Sequence, residues 1–150
     1  MTTSYSNSDS QYNQYSQPQQ PAQQPANNRW DVPTSEERTW AIFAHLSAVV
    51  ATIISVGWLN FLGPLVIWLI KKDSSPYVRR AAAQSFNFNL GMWLMSVVGW
   101  ILVFTLILAP VGLILFAVSF ILTLWHHIRA ALAASRDQLY SYPWQIKILS

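Results

Sequence analysis

The chain has no cysteine, which excludes a disulfide framework, a thiolate metal site and a thiol nucleophile. Acids are scarce too, with 6 Asp and Glu against 9 Lys and Arg. The aspartates are Asp9, Asp31, Asp73 and Asp137, all in tails or connections. Ser-His-Asp catalysis needs a buried carboxylate to orient its histidine, and none is placed to do so. Charge is missing altogether from Thr39 to Ile70 and from Ala81 to Ile128. About 18 apolar residues already suggest a membrane span, so each stretch is too long for one helix. The start is polar and not basic-then-apolar, so the first apolar run is expected to act as an uncleaved insertion signal. The formal charge of +3 comes from a few cations beside the apolar runs. That is the pattern of orientation signals, and no nucleic-acid partner is expected.

What is there begins with a tail. Met1 to Asn28 is built of Gln, Asn, Ser, Tyr and Pro, with Asp9 its only charge. It cannot bury enough apolar surface to offset ordering entropy, so residues 1–33 are expected to be disordered. Tyr5, Tyr12 and Tyr15 give it a prion-like composition that could support weak self-association.

The membrane domain is expected over residues 34–138. Thr34 and Glu37 have capping-box spacing, and two acids sit in the coming first turn. A first helix over about 35–56 follows, with Trp40 as an interfacial anchor. Ala41, Ala44, Ala48, Ala51 and Ser55 trace a stripe of small residues along it, which lets helices approach closely in lipid. Gly57, Asn60, Gly63 and Pro64 interrupt the run. One straight helix from Thr39 to Ile70 would be about 48 Å long against a core of about 30 Å, so a break is placed here. The second helix, about 61–72, is short and must tilt, re-enter or rely on Lys71 and Lys72 snorkelling to the headgroups. Ser75 as N-cap and Pro76 at the first helical position open a third helix, about 76–108. Ala109-Pro110-Val111-Gly112 is the next break, and a fourth helix runs over about 111–134. The expected fold is thus an all-α integral membrane protein, a four-helix transmembrane bundle. A three-span alternative takes Thr39 to Ile70 as one tilted helix.

With four helices the tail, the basic connection and the C-terminus share one side. Neither opposite connection carries Lys or Arg, so that side is cytoplasmic and the protein sits multi-pass in the cytoplasmic membrane. Residues 139–150 alternate Tyr140, Tyr142, Trp144, Ile146 and Ile148 with mostly smaller or more polar residues. Period two predicts an extended interfacial segment whose aromatic side meets the headgroups.

Polar groups within the apolar runs form the candidate site, a seam of His45, Gln84, Asn87, Asn89, Ser119, Thr123 and His126. Such groups either glue a compact bundle or, in an oligomer, line a polar path. Too few acids are present for a proton relay or a selective cation site. His45 could face Asn87 or His126. His126 and His127 point apart on a helix and make a poor metal pair. Lys71, Lys72, Arg79 and Arg80 set topology and could contact anionic headgroups.

Several motifs are familiar. Gly63-Pro64-Leu65, Trp68 to Asp73, Pro76-Tyr77-Val78-Arg79 and Asn87-Phe88-Asn89 resemble a widespread family of small bacterial membrane proteins classed as a domain of unknown function. Ser35 to Trp40, His45-Leu46-Ser47 and Tyr142-Pro143 fit it too. The family is grouped with the chloroplast inner-envelope import component of the Tic translocon, which implies four membrane helices. Its usual Gly-containing turn before Tyr-x-Tyr-Pro is here Ala134-Ser135-Arg136-Asp137. No catalytic residue, cofactor or metal is expected. The expected function is a non-enzymatic assembly or accessory subunit acting through helix and tail contacts, with the bilayer, a second copy or other membrane proteins as partners. A small oligomeric channel or translocation subunit is the alternative.

Overall fold

Thr34 and Glu37 cap the first helix reciprocally. The Thr34 hydroxyl accepts from the Glu37 amide at 3.2 Å, and the Glu37 carboxylate accepts from the Thr34 amide at 2.9 Å. Two amides that a helix start leaves open are thereby satisfied. In the computed structural model, which describes residues 32–150, this cap opens α1 (Ser35–Ser55), followed by α2 (Leu62–Lys71), α3 (Pro76–Phe104) and α4 (Ala109–Ala134). There is no strand among the described residues. The expected disordered tail lies almost wholly outside them.

At 1.5 Å per residue α1, α3 and α4 are about 32, 44 and 39 Å long, whereas α2 is about 15 Å, half the thickness of a bilayer core. Three helices are therefore long and apolar enough to cross a membrane. The short α2 packs on α1 and α3, and its Gly63 lies where a Cβ would come within 2.5 Å of the Ser47 hydroxyl.

One end of the unit is tied by polar contacts that bring four helix termini together. Lys71 at the end of α2 reaches Glu36 at the start of α1 at 2.9 Å and lies 4.6 Å from the Trp40 ring centre. Ser75, which caps α3 just before Pro76, donates to Glu37 at 2.7 Å. Arg38 grips Asp137, just beyond α4, with two bonds of 2.6 and 2.8 Å. The start of α1, the end of α2, the start of α3 and the end of α4 thus share one end, as a bundle with a half-length second helix requires.

Two boundaries differ from expectation. The third helix stops at Phe104 instead of about Leu108, because the Thr105 hydroxyl donates back to the Leu102 carbonyl at 2.7 Å and accepts from the Leu108 amide at 3.2 Å. Such local side-chain bonding competes with the helical ladder, and Leu106 follows at φ 62°. The fourth helix begins at Ala109, before Pro110, since a proline in the first turn costs no intrahelical bond. α3 and α4 then cross closely at Gly99 and Gly112, where a Cβ on Gly99 would lie 2.9 Å from the Gly112 carbonyl.

The interior is small and mixed. Ala41, Ala44 and Ala48 of α1 are fully buried, so the small stripe faces inward. α3 is buried on several sides along its first half, where α1, α2 and α4 surround it. Large apolar residues such as Ile54, Phe104, Ile107 and Ile121 are exposed, which suits a lipid-facing surface whose backbone is already bonded internally.

The chain leaves α4 through a left-handed turn. Asp137 takes φ 63° while Gln138 and Asp137 donate to the Ala133 and Ala134 carbonyls at 3.0 and 3.1 Å. This is the paired bonding of a glycine-type helix stop. Aspartate tolerates that backbone region better than most residues, and Arg38 holds it there. Beyond this turn the C-terminal segment has no regular secondary structure and bends at Pro143–Trp144, and its expected alternation fails. Trp144 adopts φ 51° and is exposed, while Tyr142, two residues earlier, is only 4% exposed. Tyr142 enters the helical unit and does not share an outer face with Trp144.

Candidate functional site

Tyr142 joins two helices through one hydroxyl. Its oxygen lies 2.6 Å from His127 Nδ1 on α4 and 3.0 Å from His45 Nδ1 on α1. On its other side His127 Nε2 is 2.9 Å from Asn89 Oδ1 on α3. With Asn89 Oδ1 as the acceptor, His127 carries its proton on Nε2 and accepts from Tyr142 at Nδ1, and Asn89 Nδ2 is buried with no hydrogen-bond partner among the described residues. The Tyr142 oxygen then accepts from His45 Nδ1–H. All four side chains are nearly inaccessible, at 4% or less. Burial pushes the Tyr142 phenol well above its ordinary range.

Packing supports the chain. The Tyr142 ring lies 4.8 Å from Phe88 centre to centre and 5.2 Å from His127, within the spacing at which aromatic pairs attract. Phe88, Met92, Ala130 and Tyr142 form one buried cluster. His126 packs its ring 5.2 Å from Phe88 and bonds the Tyr140 hydroxyl at 2.7 Å.

Asn87 secures the rest of the C-terminal segment. Its amide nitrogen donates to the Leu149 carbonyl at 2.8 Å, and its oxygen accepts from the Ile148 and Leu149 amides at 3.0 and 2.9 Å. Its carbonyl also accepts from the Ile146 amide at 3.3 Å.

The sequence-derived seam therefore divides. His45 and Asn89 join one chain, whose other members are His127 and Tyr142. Asn87 and His126 serve the C-terminal segment, so His45 meets neither of them. Ser119 bonds Ser96 at 2.8 Å across the α3–α4 contact, and Thr123 lies one turn below, donating to the Ser119 carbonyl at 2.8 Å. Gln84 has a buried Oε1 without a hydrogen-bond partner among the described residues. Sequence reasoning passed over His127 as a residue of this seam. The signal was present in the spacing Ser119, Thr123, His127, three positions four apart on one helix face. Nothing local marks Tyr142. Among the described residues no three His, Cys, Asp or Glu side chains converge as a metal cluster would require. Of the basic group, Lys72 lies 5.2 Å from the Trp68 ring centre and Arg79 has a buried Nε without a hydrogen-bond partner among the described residues.

Residues 36–149 match the model of the magnetosome magnetite crystal formation protein family. The chain belongs to that family. The match opens in the capping box and closes at Leu149, so it contains the helical unit and the C-terminal segment that Asn87 and Tyr142 hold. It gives the small bacterial membrane family expected from the sequence a specific description, and it offers no support for kinship with the Tic import component. Comparison with curated proteins and with solved structures gives no match.

Proposed function

We propose that this family member is a non-enzymatic accessory protein of the membrane in which magnetite crystals form, acting through contacts of its helices with other membrane proteins or a second copy. The observation that carries the reading is how the buried hydroxyl and imidazole groups are used. His45, Asn89, His127 and Tyr142 close on one another, and Ser96 closes on Ser119. Among the described residues no nucleophile is left beside a base and an orienting acid, an arrangement that triad-type group transfer requires. The family description supplies the crystal-forming context.

The sidedness we favour is four passes, with α2 returning from mid-depth and the basic end in the cytoplasm. Lys71, Lys72, Arg79 and Arg80 then meet anionic headgroups. Two measurements test the reading. A magnetite-forming cell lacking its own family member should regain normal crystals when this protein is expressed, and crosslinking in mild detergent should yield a stoichiometric neighbour. Inserted, folded protein that leaves crystals unchanged overturns the first part, and a lone monomer overturns the second. Single-cysteine labelling near Gly57, near Gly112 and in the tail tests sidedness. A tail reachable from outside refutes it.

The alternative of an oligomeric pore loses two of its lining residues, because Asn87 is occupied by the C-terminal segment and Asn89 by His127. Bilayer recordings in which conductance appears and changes with Asn87→Leu would restore it.

A further inference from the structure

A second polar group lies away from the basic end, where the last turn of α1, the α1–α2 connection, α3 and α4 converge. Thr52, Asn60, Ser96, Ser119 and Thr123 line a cavity of about 10 Å³ there, room for one water-sized occupant. All five residues are at least nine-tenths buried. Asn60 is 2% exposed, and its Oδ1 is buried with no hydrogen-bond partner among the described residues.

The hydroxyl protons around this cavity are already committed. Thr52 donates to the Ala48 carbonyl at 2.7 Å, Thr123 to the Ser119 carbonyl at 2.8 Å and Ser119 to the Phe116 carbonyl at 2.8 Å. Ser96, 2.8 Å from Ser119, must then be the donor of that pair. A hydroxyl has one proton and two lone pairs, so the oxygens of Thr52, Ser96 and Thr123 retain only acceptor capacity, as does Asn60 Oδ1. A water could donate to two of these four oxygens while turning its own lone pairs on the other two. A small cation is attracted to all four at once. No carboxylate lines the cavity, so nothing there would neutralise a divalent ion. Hard oxygen donors suit alkali and alkaline-earth ions over soft metals.

We propose that this cavity binds one monovalent alkali cation of about sodium size, held by Asn60 Oδ1 and the hydroxyl oxygens of Thr52, Ser96 and Thr123. Such a site needs no acid, because neutral oxygens supply its ligands. It does not depend on the proposed role in crystal formation.

The test is thermal unfolding of the purified full chain in detergent, titrated with sodium chloride against N-methyl-D-glucamine chloride at constant ionic strength. Sodium should raise the midpoint saturably, and equal magnesium chloride should not reproduce the rise. Thr123→Val keeps side-chain volume while removing one oxygen, and should weaken the apparent sodium affinity about tenfold, the equivalent of one lost ligand of 1.4 kcal/mol. Asn60→Leu should abolish the response. Should Asn60→Leu fail to fold, Thr123→Val carries the test alone. A wild-type midpoint equal in both salts overturns the proposal and leaves the cavity to water. A sodium response unchanged in Thr123→Val overturns it equally, by locating the ion elsewhere.

Discussion

Removing the Tyr142 hydroxyl isolates the contribution of the histidine–tyrosine chain. Tyr142→Phe keeps the ring that packs on Phe88 and leaves no cavity larger than the lost oxygen. It deletes the bonds to His127 and His45, of 2.6 and 3.0 Å. Two ordinary bonds would be worth about 2 kcal/mol together, but both histidine nitrogens stay buried and lose their partner. An orphaned buried polar atom costs about 1–3 kcal/mol, so the expected loss is about 2–4 kcal/mol. Urea unfolding in mild detergent, followed by tryptophan fluorescence, measures it. A double-mutant cycle with His45→Leu should give a coupling of about 1 kcal/mol or more, as for groups in one network. The phenol also predicts a pH dependence. Its folded pKa is raised above the unfolded value of about 10. The group's contribution is therefore complete below about pH 10 and is lost as pH rises toward the folded value. That alkaline loss should be absent in Tyr142→Phe. A variant within about 0.5 kcal/mol of wild type, with the same alkaline profile, would refute the assignment of these bonds.

Three further outcomes follow from the geometry. Gly112→Ala places a Cβ against the Gly99 carbonyl and 2.9 Å from the Val103 amide, so α3 and α4 must separate; overpacking of this kind costs about 1–3 kcal/mol, read as a lower unfolding midpoint in detergent. Val56→Gly should stabilise the protein by about 1 kcal/mol, because a branched side chain is held at φ 53° beyond α1 while 54% exposed; an unchanged or lowered midpoint counts against it. Asn87→Leu removes three side-chain bonds to Ile148 and Leu149, so hydrogen exchange of those two amides should accelerate by about tenfold or more, at one decade per 1.4 kcal/mol, with α4 amides unaffected.

Features carried by neighbouring residues were legible in the sequence. The Thr34–Glu37 box and the Ser75-Pro76 start depend on three or four adjacent positions, so spacing alone identifies them. Charge-free runs and the Gly63-Pro64 interruption likewise locate helices, because the cost of placing charge in lipid acts on composition. Boundaries were less legible where a single hydroxyl decides them, as Thr105 does at the end of α3. The seam was partly legible for a geometric reason. One residue turns a helix by about 100°, so His126 and His127 look alike in a list of polar positions yet bond different partners, Tyr140 and Tyr142. The inward placement of Tyr142 was not legible. Its burial needs α1 and α4 to present His45 and His127 to one point, and needs Asp137 to turn the chain back over them. The first is a property of packing. The second rests on a left-handed aspartate that Arg38, 99 positions away in the chain, holds in place.

The two ends of the helical unit also differ in what they offer a partner. All four acids among the described residues, Glu36, Glu37, Asp73 and Asp137, lie at the basic end, and three of them bond Lys71, Ser75 and Arg38. The opposite connections, Val56 to Phe61 and Thr105 to Leu108, carry no charge at all. They expose Trp58, Leu59, Leu106 and Ile107. Neither connection offers a carboxylate, whose charge and oxygen geometry contacts with metal ions or an ionic solid need. The connections can hold another apolar helix end or the interfacial layer of a membrane. With the imidazoles of His45 and His127 bonded to Tyr142 and Asn89, the lateral faces and these uncharged connections are the apolar surface on offer to a partner. Contact there with another apolar surface is what this distribution favours, and carboxylate-mediated contact with a mineral is what it lacks the groups for.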